Sequence, residues 1–377
     1  MKPATDKNAS GHFLILDALR GVAALIVLLY HIGEAHAVDR FTQMFNHGYL
    51  AVDFFFILSG FVIGYAYDSR RQTLSVGRFC LKRLIRLQPM VIIGAVIGGI
   101  FFYAGGGDLV TSAPLSRVLL LTLLGLLMIP VPAALDVRGW GEAYPLNGPQ
   151  WSLFFEYIAN LLYVLIFRYL PKAALIVLTA AAGIATAVFL LTNPNGDIIG
   201  GWQLTPVQFS VGMIRLLYPF LAGLLLARLR PQIKIPLPFT LTAVLLSVLL
   251  LMPRIGGAGN LFANALYEAV CILFVFPLII VIGSSAEGIG RFGRRPAAFL
   301  GRISYPLYLI HYPFICIYYK YIRQMSPTTA GAVGYAVLIV VGSIGAAALI
   351  ERFYERPLRR LLTRKTAAGD RQSVSDC

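Results

Sequence analysis

The sequence predicts an all-α polytopic membrane protein with about ten transmembrane helices, and one further apolar segment that is re-entrant or interfacial. Three observations lead to this fold class. Hydrophobic residues make up 58% of the 377 residues, and charged residues make up only 13%, where a soluble protein carries about 25%. The mean hydropathy is +0.75. Apolar stretches near the ~20 residues that a spanning helix needs recur along the whole chain.

Eleven apolar segments are candidates for membrane spans. We expect residues 1–12 to form a polar N-terminal tail, residues 13–360 a single membrane domain, and residues 361–377 a polar, disordered C-terminal tail. No internal repeat and no second domain are indicated. The eleven segments cover residues 13–33, 49–67, 90–104, 115–135, 150–170, 173–192, 207–227, 236–253, 261–283, 299–319 and 330–350.

The positive charges predict which links between segments face the cytoplasm. Lys and Arg are concentrated in residues 68–86, 228–234 and 291–302, and again in the tail that follows Arg352. The positive-inside rule assigns these links to the cytoplasm. The net charge of +15 is therefore explained by topology, and no nucleic-acid partner is expected. Both the N-terminus and the C-terminus are predicted to be cytoplasmic.

Termini on the same side require an even number of crossings, so eleven candidates imply ten crossings and one segment that does not cross. The segment that does not cross should lie between residues 68–86 and residues 168–172. Both of these basic links are predicted to be cytoplasmic, yet three apolar segments separate them. One of the segments 90–104, 115–135 or 150–170 should therefore be re-entrant or interfacial. Irregular backbone at membrane depth is stable only when it is buried in protein or lines a cavity. We therefore expect a ligand cavity in this part of the chain.

The first apolar segment carries three ionisable residues on one side, Asp17, Arg20 and His31. Arg20 and His31 are eleven positions apart, which in a helix is three turns plus about 20° and ~16 Å along the axis. An ionisable group in a hydrophobic span is costly unless it is paired or hydrated. The segment is therefore either a polar track facing the protein interior, or a charged helix start followed by one histidine with a structural partner.

Two histidines and a carboxylate are predicted to share one layer of the membrane. Helical rise places His31, Glu156 and His311 in the outer half of the bilayer. A histidine with a carboxylate that orients it suits general-base chemistry. The alternative is that each makes only a structural hydrogen bond between helices.

Five further ionisable residues are predicted to be buried or clustered. Arg215 and Glu268 lie at matching depths, which predicts a structural ion pair. Asp53 begins a span, where it either orients a histidine or marks the membrane interface. Arg83 and Arg86 share a helix face, and the planar fork of arginine suits phosphate. The alternative for these two is an ordinary positive-inside cluster.

Motifs for common cofactors are missing from the sequence. There is no Walker loop, no HExxH motif and no dinucleotide fingerprint. The four cysteines are scattered without the spacing of a metal site. We expect no metal and no permanently bound cofactor.

Six stretches of the chain, taken in order, resemble the acyltransferase-3 family. The most specific parts are the pair Arg20 and His31, ten residues between them, and the pair Arg83 and Arg86. Glu156 stands at the family's acidic position, after which residues 157–160 depart from the family pattern. The six stretches are LDALRGVAALIVLLYH (16–31), YLAVDFFFILSGFVI (49–63), FCLKRLIRLQP (79–89), PQWSLFFEY (149–157), ISYPLYLIHYPF (303–314) and FYERPLRR (353–360).

The resemblance implies a bacterial O-acyltransferase of the cytoplasmic (inner) membrane. Acyl-CoA, most often acetyl-CoA, would be the co-substrate on the cytoplasmic side, and the acceptor would be a hydroxyl of a carbohydrate or glycolipid, often a surface polysaccharide. The lipid bilayer is a further expected partner, and a homo-oligomer is left open. The expected site residues fall into three groups: catalytic His31, Glu156 and His311; CoA-binding Arg20, Arg83 and Arg86; and substrate-binding Asp53 and Arg215.

Two other classes of function are compatible with parts of the sequence. A proton-coupled secondary transporter also has intramembrane His, Asp and Arg side chains and broken helices, and it predicts accumulation of substrate without chemical change. A membrane scaffold predicts that His31→Ala leaves the phenotype intact. The sequence leaves open the acceptor, the acyl group and whether an acyl-enzyme forms. Acceptor choice is expected to depend on outer loops such as 34–48, 136–149 and 193–206.

Overall fold

The computed structural model describes residues 13–106, 113–285, 289 and 291–375. Within these ranges the regular structure consists of α-helices joined by short 3₁₀-helical and π-helical turns. A π-helical turn joins α9 to α10 and another joins α12 to α13. The helices are α1 (Leu14–His36), α2 (Ala51–Tyr67), α3 (Val76–Phe101), α4 (Leu115–Leu126), α5 (Gln150–Leu165), α6 (Lys172–Thr192), α7 (Pro206–Leu229), α8 (Pro238–Leu251), α9 (Leu261–Val270), α10 (Phe276–Ser285), α11 (Arg291–Met325), α12 (Thr329–Ile350) and α13 (Arg356–Ser375).

The helices have the lengths and composition of a polytopic membrane protein. In the described part of the chain, 8 helical segments are long and apolar enough to cross a membrane. Helices α4 and α8 are apolar but shorter, with 12 and 14 residues. Each of the eleven predicted segments overlaps a helix, although 90–104 is only the end of α3, 115–135 is helical only as far as Leu126, and 261–283 spans both α9 and α10. The number of ten crossings and the cytoplasmic position of both termini stay predictions.

Two pairs of helices pack so closely that each contact has room for a glycine but not for a larger side chain. Helix α1 runs along α11, where a Cβ atom at Gly21 would lie 2.4 Å from the Leu300 carbonyl oxygen. Helix α2 runs along α7, where a Cβ atom at Gly60 would lie 2.0 Å from the Phe220 carbonyl oxygen. Small residues at helix contacts let backbones approach in this way. The first pair of helices positions the polar face of α1 directly against α11.

The segment between α4 and α5 folds into the protein. At the start of α5, the Gln150 side chain donates a 3.0 Å hydrogen bond to the carbonyl of Gly125, near the end of α4. The Asn147 side chain donates a 2.9 Å hydrogen bond to the carbonyl of Leu309, in the middle of α11. This carbonyl lacks a helical partner because Pro313, four residues later, has no N–H group. Helix α5 therefore begins inside the protein, at the level of the middle of α11.

Of the three segments among which the non-crossing one was predicted, 115–135 contains the shortest helix, and the choice among them stays a prediction. Its helix, α4, is about 18 Å long at ~1.5 Å per residue, and the hydrocarbon core of a bilayer is ~30 Å thick. The irregular backbone that follows is partly exposed over residues 127–135 and becomes buried over residues 142–149.

The two predicted tails differ in outcome. Residues 1–12 lie outside the described residues. Residues 361–377 were expected to be disordered, but α13 continues through them as far as Ser375. Leu, Arg, Lys, Ala and Gln make up much of this stretch, and all five are good helix formers.

Candidate functional site

A cavity of about 870 Å³ lies between α1, α2, α3, α5, α11 and α13. Pockets that bind small organic ligands have volumes of about 300–1,000 Å³. Eight cationic and four anionic side chains line this one, so its charge favours an anionic ligand. The cations are Arg20, Lys82, Arg83, Arg86, Arg302, Arg356, Arg359 and Arg360, and the anions are Asp17, Glu156, Glu351 and Glu355.

Arg20 and Arg83 are held in the cavity wall by specific partners. Arg20 donates through Nε to Ser304 Oγ of α11, at 2.8 Å, and its Nη2 atom lies 3.1 Å from Asp17 Oδ1. Arg83 is buried, and its Nη2 atom donates to Glu156 Oε1 at 2.8 Å. Each guanidinium is thus oriented by the protein before any ligand arrives.

Arg86 is the arginine of this group that remains available to a ligand. It lines the cavity, and it makes no hydrogen bond or ion pair to any residue that the structure describes. It is close enough to Arg20 and Arg83 for the like charges to repel each other. These three neighbouring guanidinium groups, in a cavity lined by seven arginines, favour a multiply charged anion such as a phosphate.

His31 and His311 are brought together between α1 and α11. Their rings stack with centroids 5.5 Å apart and an interplanar angle of 27°. His31 Nδ1 is hydrogen-bonded to Glu34 Oε2 at 2.8 Å. His311 is fully buried, and its Nδ1 atom faces the Tyr308 and Leu307 carbonyls at 2.8 and 3.2 Å. Because carbonyl oxygens only accept, Nδ1 of His311 carries a hydrogen, and in the neutral ring Nε2 is then the lone-pair acceptor.

The inner end of the cavity adjoins this histidine pair. Tyr308 and Ser152 line the cavity, and their hydroxyl oxygens are 2.7 Å apart. The Tyr308 ring centroid lies 6.0 Å from that of His311. Along α1, Arg20 and His31 are separated by ~16 Å of helical rise. In the described residues no group of three or more His, Cys, Asp or Glu side chains is placed to hold a metal ion.

Glu156 lies on the cavity and not beside the histidines, and this corrects the predicted layer. Its Oε1 atom accepts a 3.1 Å hydrogen bond from Ser59, in addition to that from the buried arginine described above. The predicted depth assumed that α5 begins at the outer surface. Because Gln150 begins α5 at mid-depth, Glu156 lies ~9 Å further toward the cavity end. The carboxylate next to His31 is instead that of Glu34, which its i,i+3 spacing could have revealed.

The predicted ion pair between Arg215 and Glu268 is wrong. Arg215 pairs with Asp53, with Nη2 2.7 Å from Oδ2, and also donates to the carbonyl of Tyr49. Glu268 accepts hydrogen bonds from the hydroxyl of Tyr49 and the amide of Asn264. The matching depths of Arg215 and Glu268 could not show that α7 packs against α2, the helix that carries Asp53. Both side chains are buried and their polar atoms are bonded to protein partners, so neither has a group left for a substrate.

The loop before α5 supplies a buried acid that the sequence analysis missed. The Tyr312 hydroxyl donates to Glu142 Oε1 at 2.5 Å. Burial raises the pKa of Glu142 to about 8, although the Tyr312 hydrogen bond and the Arg138 charge act in the opposite direction. The Tyr312 ring in turn lies 6.0 Å from the ring of His31. No pattern in the sequence indicated this residue, because periodicity gives no depth for a loop.

Comparison with known proteins relates the chain to acyltransferases. An acyltransferase-domain family, acyltransferase 3, matches residues 13–352. The chain is 28% identical over 375 residues to Acyltransferase MdmB of Streptomyces mycarofaciens, which covers 93% of this chain and 92% of that protein. It is 34% identical over 161 residues to Protein 2 in the picA locus of Rhizobium radiobacter, covering 40% of this chain and 80% of that protein. It is 23% identical over 360 residues to the O-acetyltransferase OatA of Staphylococcus aureus (strain NCTC 8325 / PS 47), covering 92% and 57%.

No solved structure matches the chain. The family match runs from the start of α1 to the π-helical turn after α12, so it includes the histidine pair and all of the cavity lining that precedes Glu355. The apolar helices are those of a multi-pass membrane protein. The chain belongs to the acyltransferase-3 family of membrane acyltransferases.

Proposed function

We propose that the protein is a membrane-bound O-acyltransferase that moves an acetyl or similar acyl group from acyl-CoA to a hydroxyl of a carbohydrate or glycolipid. One observation carries the proposal: a cavity with an excess of arginine ends against a stacked pair of histidines. The names of two bacterial relatives, an acyltransferase and an O-acetyltransferase, support the reaction class. A bacterial inner membrane is the proposed location.

The cavity suits the two chemically different ends of acyl-CoA. Its arginines would bind the phosphates, with Arg86 as the principal contact and with Arg20 and Arg83 beside it. The pantetheine arm would extend toward Tyr308, which brings the thioester next to the histidines. Glu156 then belongs to the donor site, where it keeps the buried Arg83 charge compensated. CoA is a co-substrate in this reaction and is not retained.

His31 is the proposed general base. Its Nδ1 atom is bonded to Glu34, which leaves Nε2 to accept the proton of the acceptor hydroxyl. The hydroxyl oxygen forms a bond to the acyl carbon, the C–S bond of the thioester breaks, and the proton passes to the CoA sulfur. The Glu34 carboxylate stabilises the imidazolium that forms in between, as in other carboxylate–histidine pairs. Stacking on His311 fixes the orientation of the His31 ring.

The donor half of the proposal is tested by calorimetry with acetyl-CoA on the protein in nanodiscs. Arg86→Gln removes a charge-assisted contact of about 1.5 kcal/mol, so Kd should rise about tenfold. His31→Gln should keep the wild-type Kd and lose acetyl transfer. Arg294→Gln is the matched control, because Arg294 is an exposed arginine of α11 outside the cavity.

Two results would contradict the proposal. One is a folded wild-type protein that does not bind acetyl-CoA. The other is an equal loss of affinity in the Arg86 and Arg294 variants, which would indicate non-specific attraction of charge. Accumulation of an unmodified solute in proteoliposomes would instead support the transporter alternative.

A further inference from the structure

Side chains on α11 follow each other from the donor cavity toward the opposite end of the helix. Ser304 contacts Arg20 at the cavity, and His311 stacks on His31 seven residues later. Tyr319 lies eight residues beyond His311, a rise of about 12 Å. The histidine pair therefore has two sides along this axis, and the donor cavity occupies one of them.

The loop of residues 127–149 forms the other side. From it, Glu142 accepts the hydrogen bond of the Tyr312 hydroxyl, at 2.5 Å. The Trp140 ring from the same loop lies 6.4 Å from the Tyr312 ring and 5.8 Å from the Tyr319 ring, measured between centroids. An acid, a phenol and an indole thus meet on the side of the histidines that the donor cavity does not reach.

Besides Oδ1 of Asn147, two further buried polar atoms in this region have no hydrogen-bond partner among the described residues. They are Oε2 of Glu142 and Nε2 of His311. His31 lies against both His311 and Tyr312, and Tyr312 binds the other oxygen of Glu142, so all four side chains form one cluster. Most buried polar atoms in proteins are paired. Two unpaired atoms in one cluster are typical of a site whose ligand supplies the missing hydrogen bonds.

The chemistry of Glu142 indicates what kind of ligand this is. Its charged neighbours come from its own loop, from α1 and from α11: Arg138, Asp136, Glu34 and the phenol Tyr312. Burial keeps the pKa of Glu142 at about 8, so at neutral pH the carboxyl holds its proton and can donate a hydrogen bond. A ligand oxygen that accepts this bond need not be charged.

Trp140 adds an apolar surface to these polar groups. Trp140 is half-buried, so the residue retains some accessible surface. Ligand sites commonly combine aromatic walls with a few convergent polar groups. A sugar ring matches this combination, because it has C–H groups that pack on an indole and hydroxyls that bond to a carboxyl.

We infer that Trp140, Glu142 and Tyr312 form the acceptor subsite, which binds a sugar ring and presents one hydroxyl to His31 from the side opposite the donor cavity. The inference rests on the proposed function and specifies where and how the acceptor binds. The presented hydroxyl loses its proton to His31 Nε2, and its oxygen replaces the CoA sulfur on the acyl carbon. The proton then leaves with the CoA thiol. Donor and acceptor thus approach the histidines from opposite ends of α11.

The test measures acetyl transfer from radiolabelled acetyl-CoA to methyl glycosides of glucose, galactose, mannose, rhamnose and N-acetylglucosamine, with protein in nanodiscs. Trp140→Ala should raise KM for the accepted glycoside about tenfold, as expected for loss of a large apolar contact. Glu142→Leu, which removes the hydrogen-bonding group while keeping a similar volume, should raise the same KM and change kcat less. The Kd for acetyl-CoA should stay at the wild-type value in both, which also shows that both variants fold.

The matched control is Phe274→Ala, because Phe274 is an exposed aromatic residue of the π-helical turn between α9 and α10, outside the donor cavity and the loop of residues 127–149. Its glycoside KM should equal that of wild type. An unchanged KM in the Trp140 and Glu142 variants would overturn the subsite, and so would acetyl-CoA binding without acetylation of any glycoside. Failure of the wild type to bind acetyl-CoA would overturn the proposed function itself.

Discussion

Replacing Glu34 by Gln isolates the contribution of the carboxylate that faces His31. The Nδ1–Oε2 distance is 2.8 Å, and the two side chains are 21% and 40% exposed. Two unit charges 4 Å apart interact by about 1 kcal/mol in water and about 4 kcal/mol at an effective dielectric constant of 20. Partial exposure places this pair toward the lower value. We take about 1.5 kcal/mol of imidazolium stabilisation, so Glu34→Gln should lower kcat about tenfold.

The assay follows the release of the CoA thiol with a glycoside that the wild type acetylates. The Kd for acetyl-CoA should not change, because Glu34 does not line the donor cavity. Asp39→Asn is the matched control, since Asp39 is an exposed carboxylate just beyond α1 that contacts its own turn. A kcat for Glu34→Gln equal to that of the control would refute the general-base role argued for His31.

Three further predictions concern stability, each measured as the Tm of purified protein. Asp53→Ala leaves the buried charge of Arg215 uncompensated and should cost about 3–5 kcal/mol; adding Arg215→Met should recover most of this, and a double variant no more stable than Asp53→Ala would contradict the pairing. Gly60→Ala places a methyl group 2.0 Å from an α7 carbonyl and should cost about 1–3 kcal/mol, whereas Gly334→Ala, with nothing within 4 Å, should be neutral. Burial raises the pKa of Glu142 from 4.5 to about 8, so between these values the folded chain holds a proton that the unfolded chain releases. The stability of the wild type relative to Glu142→Gln should therefore fall as pH rises from about 5 to 8. A stability difference that does not change with pH would exclude this titration.

Helix periodicity was sufficient to predict the polar face of α1. The spacing of Arg20 and His31 puts both on one side of a helix, and the structure directs that side at α11, where each finds a partner. The positions of the helices could also be predicted, because apolar length is fixed by the bilayer. In both cases the prediction depends only on distances along one helix.

Predictions that needed relations between helices were less successful. The depth of Glu156 depended on where α5 begins, and that is determined by long-range hydrogen bonds of the preceding loop. The partner of Arg215 depended on which neighbour faces α7, and depth along the chain does not distinguish Asp53 from Glu268. Glu142 lies in a loop without periodicity, and its burial results from tertiary packing alone. These residues acquire their surroundings only when the chain folds.

The proline in the middle of α11 has a consequence for how this family can vary. Pro313 withdraws an N–H group from the helix, and the carbonyl that it frees, on Leu309, accepts the hydrogen bond of Asn147. The Leu309 side chain takes no part in this bond, so that position can change without disturbing the bond. Replacing Asn147 alone would leave the Leu309 carbonyl without a hydrogen-bond donor. Replacing Pro313 alone would restore the helical N–H donor to this carbonyl and leave the Asn147 amide without its acceptor. Asn147 and Pro313 should therefore substitute together during evolution, as two positions coupled through the main chain of a third.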